Sequence, residues 1–172
     1  MSTNDRPGGR TVVIGLGSPL MGDDGLGLAA LARLQEQWTL PATVELVDGG
    51  TWGMNLLPVI EDADRLLLLD AIHANASAGT LIVLDRARIP RYLAMKISPH
   101  QVDLRDVLGL AELRGTLPEE TVAMGLQPAR VEMSSELSET LQDRLDDLVA
   151  AAVRQLAEWG LVCRRQEGAV HA

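Results

Sequence analysis

Apolar positions along the chain alternate between short continuous runs and stretches with helical spacing. Runs of branched apolar residues that are bounded by turn residues are typical of strands buried in a sheet. Such runs predict five strands, at 11–17, 44–50, 65–72, 79–85 and 120–128. Apolar residues spaced three and four apart indicate helices instead. This spacing predicts helices over 28–38, 51–60, 102–113 and 137–159.

The last of these helices has the clearest pattern. An apolar stripe recurs at Leu137, Leu141, Leu145, Leu148, Ala152, Leu156 and Trp159. Ser135 is the expected N-cap, because its hydroxyl can accept a hydrogen bond from a first-turn amide, and Gly160 is the expected stop. The stripe is expected to pack against the sheet.

The order of these elements predicts the fold class. Strands that alternate with helices indicate an α/β fold, here a three-layer α/β/α sandwich with a mostly parallel, twisted sheet of about five strands. The linker before the fourth strand is too short for a crossover helix, so that strand is expected to run antiparallel. We expect one domain over 11–160, an irregular segment around Pro90 and 98–101, and loose tails at 1–10 and 161–172.

Charge and cysteine content narrow the function classes. The 172 residues include 24 acidic and 15 basic side chains, a net charge of −9. This excess would repel nucleic-acid phosphates and anionic membrane surfaces, which disfavours both partners. The longest uncharged stretch near the start, 11–22, is far shorter than the ~20 apolar residues of a membrane-spanning helix. A single cysteine, Cys163, suits a reducing compartment, so a cytoplasmic location is expected.

A glycine-rich loop at 15–25 follows the first strand and precedes a helix, as a nucleotide-binding loop would. The dinucleotide fingerprint requires a third glycine where Leu20 stands, and a P-loop requires lysine and a hydroxyl residue after Gly22. Asp23 and Asp24 stand there instead. Their carboxylates would repel phosphate, so these residues either cap the next helix or attract a cation.

Two further aspartates end predicted strands at the same edge of the sheet. Asp70 closes a run of four leucines, and a buried carboxylate without a partner costs several kcal/mol, so a functional role is favoured there. Asp48 ends the second strand and precedes two glycines. A turn-stabilising interaction of its side chain is at least as plausible as chemistry.

Histidines supply the remaining candidate chemistry. His100 lies in a proline-containing loop, where it is either solvated or a ligand, whereas His171 lies in the tail and is expected to be inert. His73 would point away from Asp70 unless the strand ends between them. Asp24, Asp70 and His100 together offer two carboxylates and an imidazole, a set that suits nickel, zinc or manganese. They are too far apart in sequence for a compact metal motif, so the fold must bring them together.

The sequence resembles the hydrogenase maturation endopeptidases, which trim the carboxyl terminus of the large subunit of nickel–iron hydrogenases. Four segments in family order carry the resemblance: GLGSPLMGDDGLG (15–27), VDGGTWGMNLL (47–57), LLLLDAI (66–72) and KISPHQ (96–101). The resemblance implies a twisted five-stranded sheet between helical layers. It also implies that Asp24, Asp70 and His100 are the metal-contacting and catalytic residues, although some members carry glutamate at the position of Asp24.

The same resemblance implies an activity. The expected reaction is hydrolysis of one peptide bond in a nickel-loaded [NiFe]-hydrogenase large-subunit precursor, which releases its C-terminal extension. The nickel is expected to be carried by the substrate, and zinc or cadmium is expected to fit the same residues. Asp24 or Asp70 is the candidate that activates water, and the enzyme is expected to act as a monomer. Metal engagement should weaken below about pH 6.5, where an ordinary imidazole becomes protonated.

Two other function classes fit the same residues. A non-catalytic nickel carrier or hydrogenase assembly chaperone would use them only to hold an ion, and tight nickel binding without cleavage would favour it. A nucleotide-binding α/β domain would bind phosphate at 15–25, and a failed titration with ATP or NAD would exclude it.

Overall fold

The computed structural model describes residues 8–50, 53–94 and 102–168. The strands are β1 (Thr11–Gly15), β2 (Trp38–Thr39), β3 (Val44–Asp48), β4 (Arg65–Ala71), β5 (Leu81–Leu84), β6 (Glu120–Leu126) and β7 (Arg164–Arg165). The α-helices are α1 (Leu26–Gln37), α2 (Leu56–Glu61), α3 (Ile89–Ala94), α4 (Val102–Leu113) and α5 (Glu139–Glu158). Short 3-10 turns precede three of the helices, at Gly22–Gly25, Gly53–Asn55 and Arg86–Arg88.

Five strands form the main sheet in the order β3-β1-β4-β6-β5. The β1–β3, β1–β4 and β4–β6 pairs are parallel, whereas β5 is antiparallel to β6. This confirms the predicted mostly parallel sheet. It also confirms the antiparallel direction predicted for the strand at 79–85, which is β5. Because β1, β3 and β4 run in the same direction, their carboxyl ends meet at one edge.

Helices cover both faces of this sheet and complete a three-layer sandwich. On one face, α1 and α5 pack over the odd-numbered residues of the central strand, Leu67 and Leu69. On the other face, α2, α3 and α4 pack over Leu66 and Leu68. Strand β4 is therefore buried on both sides, which explains its continuous apolar sequence. Within the described residues, no helix combines the length and the apolar character that crossing a bilayer requires.

The segment around Pro90, expected to be irregular, contains a helix instead. A 3-10 turn at Arg86–Arg88 leads into α3, in which Pro90 is the second residue. Proline is tolerated in the first turn of a helix, because the amide it lacks would have no partner within the helix there. Residues 98–101 lie outside the described residues.

The N-cap of α5 is Ser138 rather than the predicted Ser135. The Ser138 hydroxyl accepts a hydrogen bond from the Leu141 amide at 3.4 Å. The predicted stripe is buried within the helix at Leu141, Leu145, Leu148, Ala152 and Leu156. Gly160 follows with a φ of 81°, as a glycine stop requires.

Residues in both predicted tails contact the body of the fold. Arg10 donates its amide to Asp64 at 2.6 Å, which secures the end of the first tail to the body. At the other terminus, β7 pairs with β2, and the Arg165 guanidinium lies 5.9 Å from the centre of the Trp38 ring. These contacts join residues that are distant along the chain, so local composition does not predict them.

Candidate active site

Asp24 lies in the loop that follows β1. Its Oδ2 accepts a hydrogen bond from the Ser18 amide at 3.0 Å, and the residue is only 6% exposed. Gly17 shapes this loop. Its φ is +108°, and a Cβ there would lie 1.8 Å from the Asp24 carbonyl oxygen, so only glycine fits.

Asp70 is the penultimate residue of β4, and it is fully buried. Its Oδ1 accepts a hydrogen bond from the Ala71 amide at 2.9 Å, and its Oδ2 accepts one from the Tyr92 hydroxyl at 2.6 Å. Both carboxyl oxygens therefore have a protein donor. Buried polar groups generally have such hydrogen-bond partners. Because both oxygens are held, rotation of the Asp70 side chain is restricted.

Tyr92 lies on α3 and packs in the apolar layer below the sheet, where it is fully buried. Burial raises the pKa of the Tyr92 phenol well above its usual value, and the negative charge of Asp24 raises it further. The phenol is therefore neutral at physiological pH and remains a hydrogen-bond donor. Asp70 and Asp24 therefore both act on this phenol, Asp70 through a hydrogen bond and Asp24 through its charge.

The fold thus brings two of the three predicted site residues together. Asp24 acts on the phenol from the loop after β1, and Asp70 acts on it from the end of β4. The third, His100, lies outside the described residues. Within the described part of the chain, no three His, Cys, Asp or Glu side chains lie close enough to hold a metal ion. The three-residue metal site therefore stays a prediction.

Asp23 has a different role from its neighbour. Its carboxyl group is fully buried and accepts hydrogen bonds from the amides of Ser138, Ala129 and Arg130 at 2.7–2.9 Å. The Ser138 hydroxyl donates a further bond at 2.9 Å. Asp23 thereby connects the glycine-rich loop to the segment before α5. Neither it nor Asp24 caps α1, whose N-cap is Gly25, so the helix-cap alternative is wrong for both.

The other sequence candidates lie apart from these contacts. Asp48 is exposed, and its Oδ1 accepts a hydrogen bond from the Gly50 amide at 3.0 Å, which is the predicted turn-stabilising interaction. His73 is partly buried just beyond the end of β4. His171 lies outside the described residues.

An open groove of about 440 Å³ borders the Asp24 loop, lined by Ser18, Leu20, Met21, Met133, Ser134 and Ser135. Leu20 is 65% exposed and Met133 is 89% exposed. Two hydrogen bonds join the sides of the groove, from the Gly22 amide to the Ser134 carbonyl and from the Ser134 amide to the Leu20 carbonyl. The loop that carries Asp24 is thus open to solvent on this side.

Tyr92 is not recognisable as a candidate site residue from the sequence alone. The chain has one tyrosine, and it stands in the segment expected to be irregular. Its place in α3 and its contact with Asp70 depend on how α3 packs against the sheet. The only local signal was an aromatic residue soon before the KISPHQ segment, which by itself does not distinguish a site residue from a core residue.

Comparisons with known proteins agree with this fold. The model of the HycI hydrogenase maturation protease family matches residues 29–155, a range that includes Asp70 and His100. Hydrogenase expression/formation protein HupD of Rhodobacter capsulatus is 36% identical over 154 residues, which is 88% of this chain and 73% of that protein. Hydrogenase 2 maturation protease of Escherichia coli K12 is 32% identical over 163 residues, 94% of this chain and 99% of that protein.

Solved structures give the same result. Hydrogenase maturating endopeptidase HybD from E. coli superimposes with a TM-score of 0.86 at 31% identity, covering 91% of this chain and 98% of that one. A [NiFe] hydrogenase maturation protease HycI from Thermococcus kodakarensis reaches a TM-score of 0.67 at 26% identity, covering 86% and 92%. The chain therefore belongs to the hydrogenase maturation protease family, as its fold, these matches and the buried acids at the carboxyl edge of the sheet together indicate.

Proposed function

We propose that the protein is an endopeptidase that removes the C-terminal extension of a nickel-loaded [NiFe]-hydrogenase large-subunit precursor. One observation carries this proposal. Two aspartates that are remote in sequence lie at the carboxyl edge of the sheet and both act on Tyr92: Asp70 accepts its hydrogen bond, and the charge of Asp24 raises its pKa. Membership of the maturation protease family supports the choice of reaction.

The proposed roles follow from ligand chemistry. Asp24, Asp70 and His100 bind the nickel that the precursor carries, since carboxylates and a neutral imidazole suit a borderline divalent ion. The nickel belongs to the substrate, and its binding places the nearby peptide bond of the precursor against the two acids. Zinc or cadmium would occupy the same residues.

Hydrogen bonds hold both acids in place. Among the described contacts, Asp24 accepts one hydrogen bond and Asp70 accepts one at each oxygen. Carboxylate oxygens coordinate divalent ions and also accept protons, which are the two roles proposed for these residues. Asp24 and Asp70 are the two candidates for the general base, because both are carboxylates at the carboxyl edge of the sheet.

The test is cleavage of a purified nickel-loaded precursor, followed by its change in mass. The unmodified protein should shorten the precursor, and Asp24→Asn, Asp70→Asn and His100→Ala should each abolish cleavage. Asp85→Asn is the matched control. Asp85 is an exposed strand-end aspartate that follows β5 at the opposite edge of the sheet, so cleavage should continue.

Two results would contradict the proposal. Full cleavage by all three site variants would remove the assigned residues. Tight nickel binding by the isolated protein in calorimetry, with no cleavage of the loaded precursor, would favour the nickel carrier or assembly chaperone instead.

A further inference from the structure

Tyr92 places a hydroxyl group inside an otherwise apolar layer. Its ring packs in the same cluster as Leu66, Leu68 and Leu108, where a phenylalanine or leucine would also fill space. Burying a hydroxyl costs free energy unless it forms a hydrogen bond. The bond that it forms at 2.6 Å ends on Oδ2 of Asp70, one of the two acids of the proposed active site. Packing alone therefore does not account for the hydroxyl.

The same bond connects α3 to the end of β4. Asp70 lies at the end of the central strand, and Tyr92 lies on α3, which directly precedes the KISPHQ segment that contains His100. The Ala71 amide holds the other oxygen of Asp70 at 2.9 Å. With a donor at each oxygen, the plane of the Asp70 carboxyl group is set by its neighbours before any substrate arrives.

We propose that Tyr92 is a positioning residue for the cleavage reaction. Its hydroxyl fixes the orientation of the Asp70 carboxyl group and joins α3 to the end of β4. This inference rests on the proposed endopeptidase function. Partners that orient the ligands of a metal typically change activity or metal affinity by about 10–100-fold when they are removed.

The test compares Tyr92→Phe with Thr121→Val in steady-state cleavage of the nickel-loaded precursor. Tyr92→Phe removes only the hydroxyl. Thr121→Val is the control, because it also removes a buried hydroxyl, one that donates to the Pro118 carbonyl at 2.6 Å near the start of β6. Thermal melting of both variants establishes that the rates are measured on folded protein.

We expect Tyr92→Phe to lower kcat about 10–100-fold and to leave KM for the precursor within about twofold, because orientation of Asp70 acts on the bound complex. Thr121→Val should retain the original kcat. Three results would overturn the inference. They are an unchanged kcat for Tyr92→Phe, an equal fall in the kcat of both variants, and a failure of Tyr92→Phe alone to fold. If the unmodified protein does not cleave the precursor, the proposed function itself fails, a result that is distinct from failure of the Tyr92 comparison.

Discussion

Asp23 and Asp24 are adjacent and buried, yet the structure predicts opposite consequences for their removal. Asp23→Ala deletes four hydrogen bonds, and the two from Ser138 are fully buried. A hydrogen bond to a charged group contributes about 1.5–3 kcal/mol, so those two alone amount to about 3–6 kcal/mol. The other two bonds contribute less, because water can replace the carboxylate at the partly buried Ala129 and Arg130 amides. Removing the carboxylate also removes the free energy that its own desolvation costs, which lowers the net loss. The expected net loss in the free energy of unfolding is about 3–5 kcal/mol.

Asp24→Ala is the natural comparison. It deletes one described, partly buried hydrogen bond, from the Ser18 amide, so the expected loss is about 1 kcal/mol. Urea unfolding followed by tryptophan fluorescence measures both free energies, since the chain contains three tryptophans. Cleavage by each variant is measured with the nickel-loaded precursor. Asp24→Ala should abolish cleavage while the protein remains folded.

Two results would contradict this expected difference: an equal loss of stability in the two variants, or a loss of less than about 1 kcal/mol for Asp23→Ala. Either result would mean that the buried hydrogen bonds of Asp23 do not hold the glycine-rich loop to the segment before α5. A stable Asp24→Ala protein that still cleaved the precursor would separately remove Asp24 from the active site.

Three other predictions follow from the same contacts. Gly17→Ala, which brings a Cβ within 1.8 Å of the Asp24 carbonyl oxygen, should destabilise the protein by more than about 1 kcal/mol in urea and impair cleavage. Folding raises the pKa of Tyr92, because the buried phenol stays neutral. Its contribution to the free energy of unfolding should therefore be fully present below the ordinary phenol pKa of about 10. Above that pH the free energy of unfolding should fall by about 1.4 kcal/mol per pH unit. Urea unfolding at neutral and alkaline pH should show this fall, and Tyr92→Phe should reduce it. Truncation after Leu161 removes the β2–β7 pairing and its cation–π contact, which should cost about 1–2 kcal/mol in urea and leave cleavage intact.

Local sequence patterns specify the layers of the fold, because the period of apolar residues is a local property. The leucine run at 66–69 indicated a strand buried on both faces, and the stripe of α5 indicated a helix packed against the sheet. A short linker indicated the reversal of β5. Parallel strands then placed Asp24 and Asp70 at the same edge, since the carboxyl ends of such strands meet there.

The hydrogen-bond partner of each buried polar group depends on tertiary packing. Asp23 and Asp24 have the same side chain and nearly the same local sequence, but only Asp23 lies where Ser138 and the amides before α5 can reach it. Tyr92 became part of the candidate site because α3 packs beneath the end of β4. Hydrogen bonds of this kind join residues far apart in the chain, so their formation depends on the packing of whole elements, which local sequence patterns do not specify.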